Sequence, residues 1–353
     1  MLNILKVDNG VQLMSSLGVA FLLFLAGMEL DLEKLRGKPL LLGSVGFIIS
    51  IALSLAGSYT MHVQGLVVSP ALAAVAIAST SVGIVIPVLK DTGNLDSPVG
   101  LFTVAGGSAG EFGAVVLLGI FFSYTGNSLR GEIISIIWQS LSLILIAGIT
   151  YLALRGLNKA MQWESAIAVA DKLDETSSQL QTRAAMLLLF GGAVLASTFY
   201  YEAILGTFIT GIIFGAFIKG TKNEERNRIR LDAIGFGLFV PIFFITSGMK
   251  LSLTGITEPI VLLKIALFLL LLLVARGLPA LSYVRSIGWK NACASGIMQA
   301  TNISFIVVAV SVGLESNRLI PATGTALILA GLLSAIIFPA TAQVLLERNN
   351  PDT

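Results

Sequence analysis

Apolar stretches of about 20 residues recur from end to end of this sequence, each long enough to cross ~30 Å of hydrocarbon as a helix. A backbone in lipid must satisfy its own hydrogen bonds, which leaves helices or closed barrels. These runs are continuous and do not alternate, so a barrel is excluded. Only 12% of the residues are charged, against about 25% in soluble domains. The reading is an all-α polytopic membrane protein of about 11 transmembrane helices. The spans fall at roughly 11–28, 39–59, 65–88, 99–123, 132–155, 184–200, 203–219, 233–249, 259–283, 291–313 and 320–345.

Most connectors are short. Two are longer and charged, at 155–183 and 219–231. The first reads as an amphipathic surface helix that divides the chain into 1–157, a connector at 158–183, and 184–347. With the loops after spans 1, 3, 5, 7 and 9 and the C-terminus on one side, that side holds 16 basic residues and the other four. The positive-inside rule then puts the N-terminus outside and the C-terminus in the cytoplasm, in the cell (inner) membrane. No cleavable signal peptide is expected, because Lys6 and Asp8 fall in the first ten residues and no small-residue cleavage site follows.

A single cysteine, Cys293, and a single histidine, His62, exclude an intramolecular disulfide framework and His- or Cys-rich metal chemistry. No His pair, Gly-x-Gly-Asp motif or Ser/His arrangement suggests an intramembrane enzyme, and no cofactor is expected. One acid stands out. Between Asp96 and Arg130 the only ionisable residue is Glu111, near the middle of its span. An ionisable group at the midplane is costly and marks a functional site unless it is tied between helices as a structural acid.

An internal repeat gives Glu111 neighbours. Phe21–Leu32 resembles Ile242–Leu253, with Gly27 and Gly248 221 positions apart. The same offset carries Ser79-Thr80-Ser81 onto Ala300-Thr301-Asn302. An odd number of spans separates the copies, which gives them opposite membrane orientation, as in secondary transporters whose site lies at the repeat interface. Two spans of the second half, about 184–200 and 203–219, have no counterpart in the first.

Both repeat copies carry a polar interruption. Span 3 has Ser79, Thr80, Ser81, Gly83 and Pro87 within nine residues, and Pro87 disfavours helix before it. Span 10 has Gln299, Thr301, Asn302 and Ser304. Freed carbonyls and hydroxyls at such breaks can ligate a small cation, or the hydroxyls can merely pack helices closely. Arg276 is expected inside the bundle as a charge partner to Glu111 or to the interrupted helices, with snorkelling as the alternative. Lys264 is expected to snorkel outward. Glu29 and Asp31 read as solvated end charges, and Glu202 as facing outside water.

Phe21–Leu32, Thr80–Leu89 followed by Lys90-Asp-Thr-Gly, and Phe239–Leu253 resemble the monovalent cation:proton antiporter superfamily, nearest the branch of Kef-type potassium systems and bacterial sodium/proton antiporters. The resemblance implies an inverted-repeat antiporter fold with two crossed interrupted helices, and a homodimer. A mobile core would comprise spans 2–4 and 9–11, and a scaffold would take span 1 with spans 6–8. It also implies a start that lacks the family's first two helices and an end without a fused nucleotide-binding domain. Where relatives often carry Asp-Asp, Asn-Asp or Gln-Asp, this chain has Gly110-Glu111.

The expected activity is exchange of a monovalent cation, Na⁺ or K⁺, for H⁺. Both would compete at Glu111, one charge for one charge, so the exchange would be electroneutral. Ser79, Thr80, Ser81, Thr301 and Asn302 are the candidate oxygen ligands, with the cation held mainly at Glu111, Thr80 and Ser81. The lipid bilayer is the expected partner, and no nucleic acid is. A non-transporting membrane subunit or sensor on an antiporter core, and an uncoupled K⁺ efflux pathway, remain as alternatives.

Overall fold

A computed structural model describes residues 9–29, 37–122, 180–198, 203–219, 223–249 and 258–347. The span expected at 132–155, most of the connector at 158–183, Asp31 and Glu202 lie outside the described residues. What is described is nearly all helical. Eight stretches among the described residues are long and apolar enough to cross a membrane, and Gly206–Ile218 is a shorter apolar helix.

The helices form two compact units. The first holds α1 (Asn9–Glu29), α6 (Leu180–Thr198), α7 (Ala203–Ile218), α8 (Glu224–Ile234) and the π-turn Gly235–Phe239 with the chain to Thr246. Glycines let α1 and α7 touch backbone to backbone. A Cβ on Gly27 would stand 2.3 Å from the Phe208 carbonyl oxygen, and one on Gly211 2.2 Å from that of Phe24. Small residues at close helix contacts replace the hydrophobic drive that lipid removes. Phe21 and Phe239 stack with ring centroids 4.9 Å apart.

The second unit holds α2 (Lys38–Val63), α3 (Pro70–Ala78), α4 (Val82–Asp91), α5 (Pro98–Phe122), α10 (Pro259–Gly277), the 3₁₀ turn Pro279–Tyr283, α11 (Val284–Ile287), α12 (Trp289–Gln299), α13 (Ser304–Glu315) and α14 (Pro321–Glu347). (Val240–Met249, α9, runs across the boundary, which falls between Thr246 and Ser247.) The units are not the sequence halves, since each draws helices from both. Their membership matches the core and scaffold groups that the resemblance implies.

Two expectations need correction. Pro87 does not interrupt span 3: it lies inside α4, and the break is at 79–81. Proline in a helix interior costs a backbone hydrogen bond to residue i−4, here Gly83, without ending the helix. Lys264 does not turn outward. Its side chain is only 6% exposed, and Nζ donates to Thr323 Oγ1 at 3.1 Å.

Candidate ion-binding site

Two helices break where the sequence clusters hydroxyls, and the breaks meet. Ser81 N donates to the Thr301 carbonyl at 2.8 Å. Thr80 Oγ1 donates to the Gln299 carbonyl at 2.6 Å. Asn302 Nδ2 donates to the carbonyls of Ala76 at 2.7 Å and Ser79 at 3.1 Å. Backbone groups freed by each interruption are thus satisfied by the other segment, as an apolar interior requires. Ser81 Oγ accepts from Ile303 N at 3.0 Å and Ser304 N at 3.1 Å, so it caps the start of α13 from across the crossing. Behind the crossing, Asn302 N donates to Ser334 Oγ of α14 at 3.0 Å.

Arg276 projects from α10 into this crossing and is 2% exposed. Its Nε and Nη2 donate to Thr80 Oγ1 at 3.0 and 2.8 Å. Nη2 also donates to the Gly106 carbonyl at 2.8 Å and to Gln299 Oε1 at 3.4 Å. Ala78 and Gln299 end α3 and α12, so the guanidinium lies where two helix C-termini present partial negative charge. The Thr80 hydroxyl is fully used, donating once and accepting twice. Ser79 Oγ, Thr301 Oγ1 and Asn302 Oδ1 differ: they are buried and have no hydrogen-bond partner among the described residues. Three crossing oxygens are left as unclaimed acceptors.

Glycines bring α5 against this network. A Cβ on Gly106 would lie 2.4 Å from Gln299 Oε1 and 2.5 Å from the Tyr283 hydroxyl. One on Gly107 would lie 3.3 Å from Thr80 Cγ2, and one on Gly110 2.6 Å from Arg276 Nη2. Glu111 is one turn beyond Gly107 on the same helix face. Its side chain is 6% exposed.

The structure therefore brings together Ser79, Thr80, Ser81, Thr301, Asn302 and Arg276, with Glu111 on the helix packed beside them. Sequence reasoning missed Tyr283 and Ser334 and gave Gln299 too little weight. Gln299 Nε2 donates to Ser295 Oγ at 3.1 Å and reaches the Tyr283 hydroxyl at 3.5 Å. Tyr283 follows Arg276 by seven residues, a same-face spacing that was the available signal.

A family model described as "Sodium/hydrogen exchanger, transmembrane" matches residues 1–348. The chain belongs to this sodium/hydrogen exchanger family. Similar exchangers include YjbQ of Bacillus subtilis, whose name gives it as a candidate Na(+)/H(+) antiporter. It is 28% identical over 98% of this chain, which spans 56% of that protein's length. "Probable Na(+)/H(+) antiporter 3" of Methanocaldococcus jannaschii is 26% identical over 97% of this chain and 85% of its own. The solved structure of the sodium proton antiporter MjNhaP1 from the same organism superposes with a TM-score of 0.61 at 16% identity, covering 98% of this chain and 88% of that one. The exchanger fold is thus shared, and the chain is a multi-pass protein of the lipid bilayer.

Proposed function

We propose that this exchanger couples a monovalent cation, Na⁺ or K⁺, to H⁺ by competition at Glu111. The observation that carries the reading is a buried carboxylate on the helix packed against a crossing with three unclaimed oxygens. Hard monovalent cations take oxygen ligands, and carboxylate, hydroxyl and amide oxygens are the donors on offer. In this reading Glu111 binds either the proton or the cation, and Ser79, Thr301 and Asn302 complete the shell. Thr80 and Ser81, whose lone pairs are engaged, hold the crossing in register. Arg276 fixes the two half-helices to α5 and supplies a permanent positive charge.

Neutralised by one cation or one proton, the unit that carries Glu111 moves and exposes the site alternately to either side. One carboxylate exchanging one charge for one makes the cycle electroneutral. The protein works as a homodimer through the unit containing α1, in the cell membrane, with its C-terminus in the cytoplasm. The basic-residue bias of the loops supports that orientation.

Proteoliposomes with an acid interior test the reading. Addition of Li⁺, Na⁺, K⁺ or Rb⁺ outside should dissipate the pH gradient with at least one of these ions. Cation flux without proton movement would favour an uncoupled pathway, and no flux of either would favour a non-transporting subunit.

A further inference from the structure

Helix α8 begins a continuous helical run, Glu224–Met249, of 26 residues. Such a run is about 39 Å long, about 9 Å more than a hydrocarbon core of ~30 Å. Its charged end takes up the excess, so the first turns of α8 stand among lipid headgroups. The inward side of α8 is tied to its own unit. Asn227 and Leu231 are buried. Asn227 Nδ2 donates to Gln181 Oε1 of α6, and Arg228 Nη2 donates to the Met28 carbonyl near the end of α1 at 3.3 Å.

The outward side differs. Arg226, Ile229, Ala233 and Phe236 follow at intervals of three, four and three, which is one helix face. All four are exposed, Ile229 by 61% and Phe236 by 49%. Half-buried Arg230 flanks this face, four residues after Arg226. Arginines at that spacing are neighbours and repel unless an anion lies between them. Among the described residues Arg226 has no carboxylate partner, and its guanidinium donates from Nη2 to Asn223 Oδ1. Beyond the arginines the face is apolar for about 10 Å, from Ile229 to Phe236. The π-turn ends it in a notch: Gly237 lies exposed between Phe236 and Leu238, and a Cβ there would meet nothing within 4 Å.

We propose that this face binds an anionic phospholipid, with the phosphate between the Arg226 and Arg230 guanidiniums and an acyl chain along Ile229, Ala233 and Phe236. Guanidinium groups bind phosphate through paired N–H donors. The basic connector 219–231 draws anionic headgroups to this end of the helix. A face charged at one end and apolar beyond it has the polarity of a lipid. Asn227 and Arg228 carry the effect inward, because a lipid that fixes α8 also fixes its ties to α6 and α1. A second copy of the chain is the competing occupant, but it would bury Arg226 with no carboxylate from its own chain, which is costly. Lipid binding here does not depend on the exchange reading above.

Two measurements decide. In thermal unfolding of the full chain in detergent, dioleoylphosphatidylglycerol added well above its Kd should raise the melting temperature by about 5 °C. Dioleoylphosphatidylcholine, which has the chains without the net charge, and glycerol phosphate, which has the phosphate without the chains, should raise it little. The Arg226→Ala/Arg230→Ala variant should lose most of the rise. Lys38→Ala/Arg285→Ala, which removes two exposed basic residues from the other unit, should keep it. An equal rise with phosphatidylcholine, or an undiminished rise in Arg226→Ala/Arg230→Ala, would overturn the lipid site. In a Cys293→Ser background, Ile229→Cys reports what covers the face. Phosphatidylglycerol, and not phosphatidylcholine, should slow alkylation of this thiol by a maleimide. Disulfide-linked dimers that form equally with and without phosphatidylglycerol would put a second copy on the face and overturn the proposal.

Discussion

At Gly110 the missing side chain is a requirement of Arg276. Read along the sequence, Gly110 is only the place where relatives put a second polar group. In the structure a Cβ at that position would lie 2.6 Å from Nη2 of a guanidinium held by Thr80, Gly106 and Gln299. The guanidinium is anchored at its far end, so it cannot swing aside without giving up those bonds. Gly110→Ala is expected to lower stability by ~1–3 kcal/mol, seen as a reduced melting temperature in detergent. The penalty should largely vanish in an Arg276→Ala background, because the collision and the hydrogen-bonded anchor disappear together. The contact was not legible beforehand, since nothing local in either segment reports a meeting between residues so far apart in the chain. Thr80 illustrates the same limit. Its type and its place in a broken helix were readable, whereas the saturation of its hydroxyl by Arg276 depends on three-dimensional geometry.

Among the elements, the interrupted helices were the most legible. Hydroxyls, glycine and an asparagine inside otherwise apolar spans announced breaks near 79–83 and 299–304, and the structure breaks at 79–81 and between Gln299 and Ser304. The reason assigned to Pro87 was wrong because the helix runs on through this proline, which lies six positions into α4, and the break falls before it at 79–81. Lys264 was misread because hydropathy alone cannot see Thr323, a buried partner on another helix. Ser81 carries a role that no propensity scale registers, capping a helix whose first residues lie 222 positions further along the chain. Ser81→Ala should cost ~1 kcal/mol, the usual worth of a helix cap. Hydrogen exchange should show faster opening of the amides of Ile303 and Ser304, while those at the start of α14 keep their protection.

For the whole molecule, the division into two units matters more than the division into halves. The second unit contains the crossing, Arg276 and Glu111, so every group assigned to ion exchange is carried on one body. The sequence indicated this grouping through family resemblance rather than through periodicity, because contacts between α2–α5 and α10–α14 are long-range. The proposed competition at one carboxylate, Glu111, fixes the charge moved per cycle. With the membrane potential followed by a voltage-sensitive dye, turnover should generate no potential, and collapsing an imposed potential should leave the rate unaltered. A second charge in the cycle would appear as a potential of defined sign. The central claim, that proton and cation share Glu111, is tested most directly by Glu111→Gln in proteoliposomes carrying an imposed pH gradient. The account predicts that the folded variant loses cation-dependent proton movement altogether, because the amide can neither release a proton nor balance a cation; exchange at the wild-type rate would contradict it.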